Sequence, residues 1–88
     1  MTEEEFRQKL IDEGYRDAHI YEIQPGTEKE MHAHDESVMS LVLKGEFTLV
    51  TENSSVTYKE GEWCENIAGT LHTEKVGPEG VTALVGTK

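Results

Sequence analysis

The spacing of apolar positions changes once along this chain, near residue 15. Before that point Phe6, Leu10 and Ile11 fall on one side at helical spacing. Thr2 with Glu5 three residues later is a capping-box pattern, and Glu3 to Glu5 sit where a helix dipole favours negative charge. Gly14 supplies a stop. The pattern predicts an N-terminal helix over residues 1–14. Its apolar stripe docks on a core built by residues 15–88.

From about Arg16 the alternation becomes strand-like. Segments rich in Val, Ile, Thr, Tyr and Leu are broken by Gly, Pro, Asn and Ser. "AHIYEI" ends at Pro25-Gly26, a turn signal. "EKEMHAH" is a polar extended piece, and "SLVLKGEFTLV" carries two apolar runs around Lys44-Gly45. "ENSS" reads as a turn, and "VTYKEGEWCENI" as two short strands around Glu60-Gly61. "TLHTEKV", the turn "GPEG" and a last strand "VTALVG" complete the chain. Roughly eight short strands at regular spacing predict a closed or sandwiched all-β fold. Met31, Met39, Phe47, Tyr58 and Trp63 are assigned to the core. Trp63 and Cys64 must face opposite ways, and the pattern does not say which faces in.

Composition narrows the function. Eighty-eight residues suit one domain, and a net charge of −10 disfavours nucleic acid and anionic membrane as partners. No apolar run approaches a membrane span, and the acidic start "MTEEEFRQ" has no signal-peptide core. A single cysteine, Cys64, makes no internal disulfide, so a reducing cytoplasmic setting is expected.

The candidate chemistry lies in "MHAHDESVM". On a strand, residues two apart point to one face, so His32 and His34 project side by side. Imidazole is the commonest neutral metal ligand, but a lone pair of this kind is often just two surface residues.

The wider spacing says more. Gly26, five residues, His32-x-His34, and Gly45 eleven residues after His34 form one motif. Gly61, five residues, Ile67-x-Gly69, two residues and His72 form another. The pair resembles the two signature motifs of the cupin superfamily, from about Pro25 to Val76, with the short inter-motif stretch of small single-domain cupins. The resemblance implies a small antiparallel β-barrel, or jelly roll, holding a metal. It matches His32, His34 and His72 to the three histidine ligands. His19 is left as an ordinary strand residue.

Three positions depart from the family's pattern. Val38 stands where a glutamate usually supplies a fourth ligand, Ile67 replaces a proline and Val76 an asparagine. Glu36 and Glu74 are the acids that can compensate. Glu36 reads as a solvated loop acid. Glu74 lies two residues after His72, so unbroken alternation turns it inward as a general base or fourth ligand. A fraying strand would turn it to water, and both orientations stay open.

Three histidines without a fixed fourth ligand leave positions for water, substrate or oxygen on zinc, iron, nickel or copper. Two functions are therefore expected. One is a metal-binding small cupin without assigned chemistry. The other is a small metalloenzyme, with an iron-dependent dioxygenase-type cupin as its leading form by resemblance. An apolar pocket with a few convergent polar groups beside the metal would favour the enzyme, and a closed or solvent-flooded site the binding protein. A barrel that has lost its metal is a weaker third reading. A homodimer is also expected, through the helix or "VTALVG", because β edges need covering.

Overall fold

Two long strands organise the fold. The computed structural model describes residues 1–26 and 30–88. Helix α1 (Glu3–Asp12) leads into β1 (Arg16–Ile23). Then come β2 (Val38–Thr51), β3 (Ser55–Lys59), β4 (Trp63–Asn66) and β5 (His72–Thr87). All pairings are antiparallel. β5 lies between β1 and β2, and β2 pairs β4 along its first half and β3 along its second. The sheet therefore has two halves that share β2 and β5.

The described residues contain five strands, fewer than the sequence pattern suggested. "SLVLKGEFTLV" is one strand, because Gly45 at φ +79° makes an irregularity in the β2–β5 ladder and no reversal. Likewise β5 runs unbroken through Gly77-Pro78-Glu79-Gly80, with Gly80 at φ +80°. A glycine at positive φ serves a turn or a bulge equally well, so the sequence does not separate the two. Glu28 and Lys29 of "EKEMHAH" lie outside the described residues. Of its remainder only His32 pairs, as an isolated bridge to His72.

Alternation sorts the side chains into two clusters. Met39 and Leu41 of β2 and Leu84 of β5 pack against Phe6, Leu10 and Tyr15, with Leu43 at the edge. This cluster lies between the sheet and α1. On the other face, Val42, Cys64 and Val81 from one half meet Phe47 and Leu49 from the other. The sheet therefore curls around an interior.

Helix α1 forms as its cap predicts. Thr2 Oγ1 accepts from Glu5 N–H at 3.1 Å, and Glu5 Oε1 accepts from Thr2 N–H at 2.8 Å. Phe6 and Leu10 are buried, whereas Ile11 is 68% exposed. One residue past Leu10 the helix has turned by about 100°, which carries Ile11 off the docked stripe. Of the expected core residues, Met39 and Phe47 are buried and Tyr58 is half-buried. Met31 and Trp63 are exposed, with Lys9 Nζ 4.5 Å above the Trp63 ring.

Candidate metal centre

The backbone brings the histidines together before any side chain contributes. His32 N–H donates to His72 C=O and His72 N–H to His32 C=O, both at 2.9 Å. Such a reciprocal pair puts the two side chains on one face as cross-strand neighbours. Two residues on, His34 C=O accepts from Gly69 N–H at 2.9 Å, which ties it to the turn before β5. The ring centroids lie 4.5 Å (His32–His72), 4.8 Å (His32–His34) and 5.1 Å (His34–His72) apart. One ring nitrogen from each lies within 4.8 Å of the others. His72 is buried, His32 half-buried and His34 exposed.

Hydrogen bonds orient two of these rings. His32 Nδ1 lies 2.9 Å from Glu30 C=O, and His72 Nδ1 lies 2.9 Å from Thr70 C=O. A carbonyl only accepts, so each Nδ1 carries the hydrogen and each Nε2 presents its lone pair. Backbone partners of this kind fix the tautomer and direction of metal-binding histidines. The Asn66 amide also lies 2.9 Å from His72 Nδ1. With its oxygen turned to the ring it shares the same hydrogen.

Glu74 supplies a direct test of fit. Its Oε1 lies 3.2 Å from His72 Nε2. A neutral imidazole donating to Thr70 has no second hydrogen for that carboxylate. Lone pair would face carboxylate unless a cation or a proton stands between them. The donor set of three imidazoles and one nearby carboxylate fits a divalent first-row metal. To share one ion the three nitrogens would have to approach one another more closely, and exposed His34 has room to move.

A pocket of about 680 Å³ opens beside the histidines. His32, His34, Asp35, Glu36 and Glu74 line its polar side. Val38, Phe47, Val76, Val81, Ala83 and Val85 form an apolar wall, to which Tyr21 and Ile23 of β1 add. Val38 faces this pocket, so the position of the family's usual glutamate carries apolar surface. Glu36 sits on the rim with Arg16 Nη2 3.3 Å from its carboxylate. His19 stays on β1, with its ring 5.0 Å from Tyr21.

Cys64, not Trp63, faces inward. It shares a 50 Å³ space with His34, Asn66, His72 and Glu74. Burial, and then the charge of Glu74, push its thiol up to about 12. The folded chain thus favours the neutral thiol. That contribution to stability is complete below the ordinary thiol value of 9.0 and is lost as pH rises toward 12. Native protein at pH 8 is expected to resist iodoacetamide, while protein in urea reacts at once. Rapid native labelling would contradict the buried thiol.

Asn66 escaped sequence reasoning, as did the two β1 residues in the wall. Asn66 lies two residues from Cys64, so alternation would have assigned it inward once the face of Cys64 was known. Nothing in "AHIYEI" shows that β1 reaches the pocket, because that depends on its pairing with β5.

Comparison with known proteins agrees with this architecture. A family model described as a cupin domain matches residues 19–83. A structural-genomics protein of unknown function from Rhizobium leguminosarum superposes with a TM-score of 0.73 at 22% identity, covering 77% of this chain and 64% of that one. A cupin superfamily protein from Desulfitobacterium hafniense gives 0.67 at 15%, covering 77% and 62%. A putative sugar phosphate isomerase from Acidithiobacillus ferrooxidans gives 0.65 at 30%, covering 81% and 49%. The chain thus spans less than two thirds of the length of each of these three. No curated protein matches it.

Proposed function

From the premise that this chain belongs to the cupin family, we propose that it holds a divalent metal on His32, His34 and His72 and binds a small molecule beside it. The observation that carries the reading is the contact of His72 Nε2 with Glu74 at 3.2 Å while Nδ1 faces the Thr70 carbonyl. That arrangement calls for a positive charge, and the lone pair of His32 Nε2 stands beside it. The 680 Å³ pocket supplies room for a ligand, within the usual range for small-molecule sites. Zinc, iron, nickel or copper all suit three imidazoles.

The placement of Glu74 favours a second reading, a small metalloenzyme, whose leading form by family resemblance is the iron-dependent dioxygenase type. A bound divalent metal would supply Lewis-acid or redox chemistry beside the pocket. Glu74 lines the pocket and can take a proton from a ligand there or serve as a fourth ligand. The Thr70 carbonyl holds His72 in one tautomer, and the apolar wall limits water around the ligand.

Elemental analysis of untagged protein tests the metal. About one equivalent of one metal is expected, against background in His34→Ala. A wild type as free of metal as that variant would refute the reading.

A reducing cytoplasmic setting suits the buried free thiol. Among the described residues, no helix is long and apolar enough to cross a membrane. Two copies are proposed to pair through β1. Both sides of β5 are taken by β1 and β2, so "VTALVG" offers no edge. Every residue of β1 is exposed, Ile20, Tyr21 and Ile23 included, and among the described residues β1 pairs only with β5. Sizing at micromolar concentration is expected to show a dimer. A lone 9.9 kDa species would end this proposal.

A further inference from the structure

We propose that the pocket selects small, mostly apolar molecules with one donor atom for the ion, and rejects ligands that carry an anionic group away from it. This rests on the metal-binding reading above and names its ligand class. The pocket wall is Val38, Phe47, Val76, Val81, Ala83 and Val85. The charged groups that line the pocket are Asp35, Glu36 and Glu74, all acidic. Among the described residues no lysine or arginine lines it. Arg16 reaches the rim but is engaged with Glu36 at 3.3 Å.

Charge then decides the ligand class. A divalent ion and Arg16 together offset the three carboxylates, so among the described residues the loaded site has no positive charge to spare. Among the described residues a phosphate or second carboxylate on the ligand would meet alkyl side chains, acids and the neutral hydroxyls of Tyr21, Ser40 and Thr87, with no cation to pair with. Burying an anion without a partner is costly, and the ligand would bind elsewhere or not at all. Sugar phosphates and dicarboxylates are therefore poor ligands, while a neutral molecule with an aromatic or aliphatic body is a good one. The aromatic rings of Tyr21 and Phe47 stand in the same wall and suit such a body.

The test compares a neutral probe with an analogue that differs only in remote charge and with a sugar phosphate. Cobalt(II)-loaded and metal-free protein are each titrated with 4-phenylimidazole, with its para-carboxylate analogue and with ribose 5-phosphate. Cobalt absorption bands and methyl NMR shifts of the wall valines report binding. The neutral probe is expected to bind at least about tenfold tighter than either anion, or about 1.4 kcal/mol, with and without metal. Ile23→Lys places an ammonium at the pocket lip and is expected to raise affinity for the carboxylate analogue about tenfold. Equal or reversed affinities, no binding of the neutral probe, or no gain in Ile23→Lys would overturn the proposal. Failure of cobalt to load would remove the metal reading alone, because the order of affinities is also read on metal-free protein.

Discussion

Replacing His72 with alanine is expected to remove the metal and to destabilise the metal-free protein as well. His72 is 1% exposed, and its ring contacts Thr70, Asn66 and Glu74. Alanine would leave a cavity where the buried ring stood. Truncation of a buried ring of this kind costs about 2–4 kcal/mol, and losing its hydrogen bonds adds to that. For a domain of this size the melting temperature should fall by more than about 10 °C. His34→Ala separates the two effects. His34 is exposed, so that variant should lose metal equally while its metal-free stability stays within about 0.5 kcal/mol of wild type. Adding the metal should raise the melting temperature of wild type alone, since a ligand that binds only the folded state stabilises it. Equal metal in wild type and His72→Ala would exclude His72 as a ligand.

Gly45→Ala is expected to prevent stable folding. A Cβ on Gly45 would lie 2.1 Å from the carbonyl oxygen of Gly80 and 3.2 Å from Val81 Cα. Both obstacles are backbone, so no rotamer relieves them. The φ of +79° adds about 1–2 kcal/mol for any residue with a Cβ. Together these exceed about 4 kcal/mol, a large share of what a domain of this size possesses. Gly69→Ala is the matched control. Its φ is +83°, but nothing lies within 4 Å of the added Cβ. It should lose only about 1–2 kcal/mol and keep a cooperative urea transition. If the two variants lost the same amount, the close approach of Gly45 to β5 would not be limiting.

Much of this was legible because it rests on period and spacing. The capping box at Thr2 and Glu5 is local, and Phe6 and Leu10 lie one turn apart. His32 and His34 share a face because strands alternate. Alternation offered Glu74 an inward place beside His72 but left open whether the strand would fray, and only the fold sets it against the pocket. The rest depends on pairing across the chain. Ile11 is apolar and near the stripe, but only the docking angle of α1 decides that it stays in water. Trp63 and Cys64 look equally fit for the interior. Glu65 settles it, since it shares the Trp63 face and accepts from the Tyr15 hydroxyl beneath α1. The strand total failed at Gly45 and Gly80, where a bend inside a strand has the same residues as a turn between two. Val38 read only as a missing ligand, whereas in the fold it is part of a wall.

The position of β5 fixes when the site can come into being. Arg16 pairs with Thr87, Val38 with Thr87, and His32 with His72. During synthesis β1 and β2 therefore leave the ribosome before the strand that must lie between them. Until β5 follows, β2 has only β3 and β4 beside it and β1 has no strand partner among the described residues, a state open to aggregation. Folding dominated by such distant pairings takes milliseconds to seconds. The three imidazoles meet only once β5 is seated. A metal held by all three would therefore be bound only after β5 is in place.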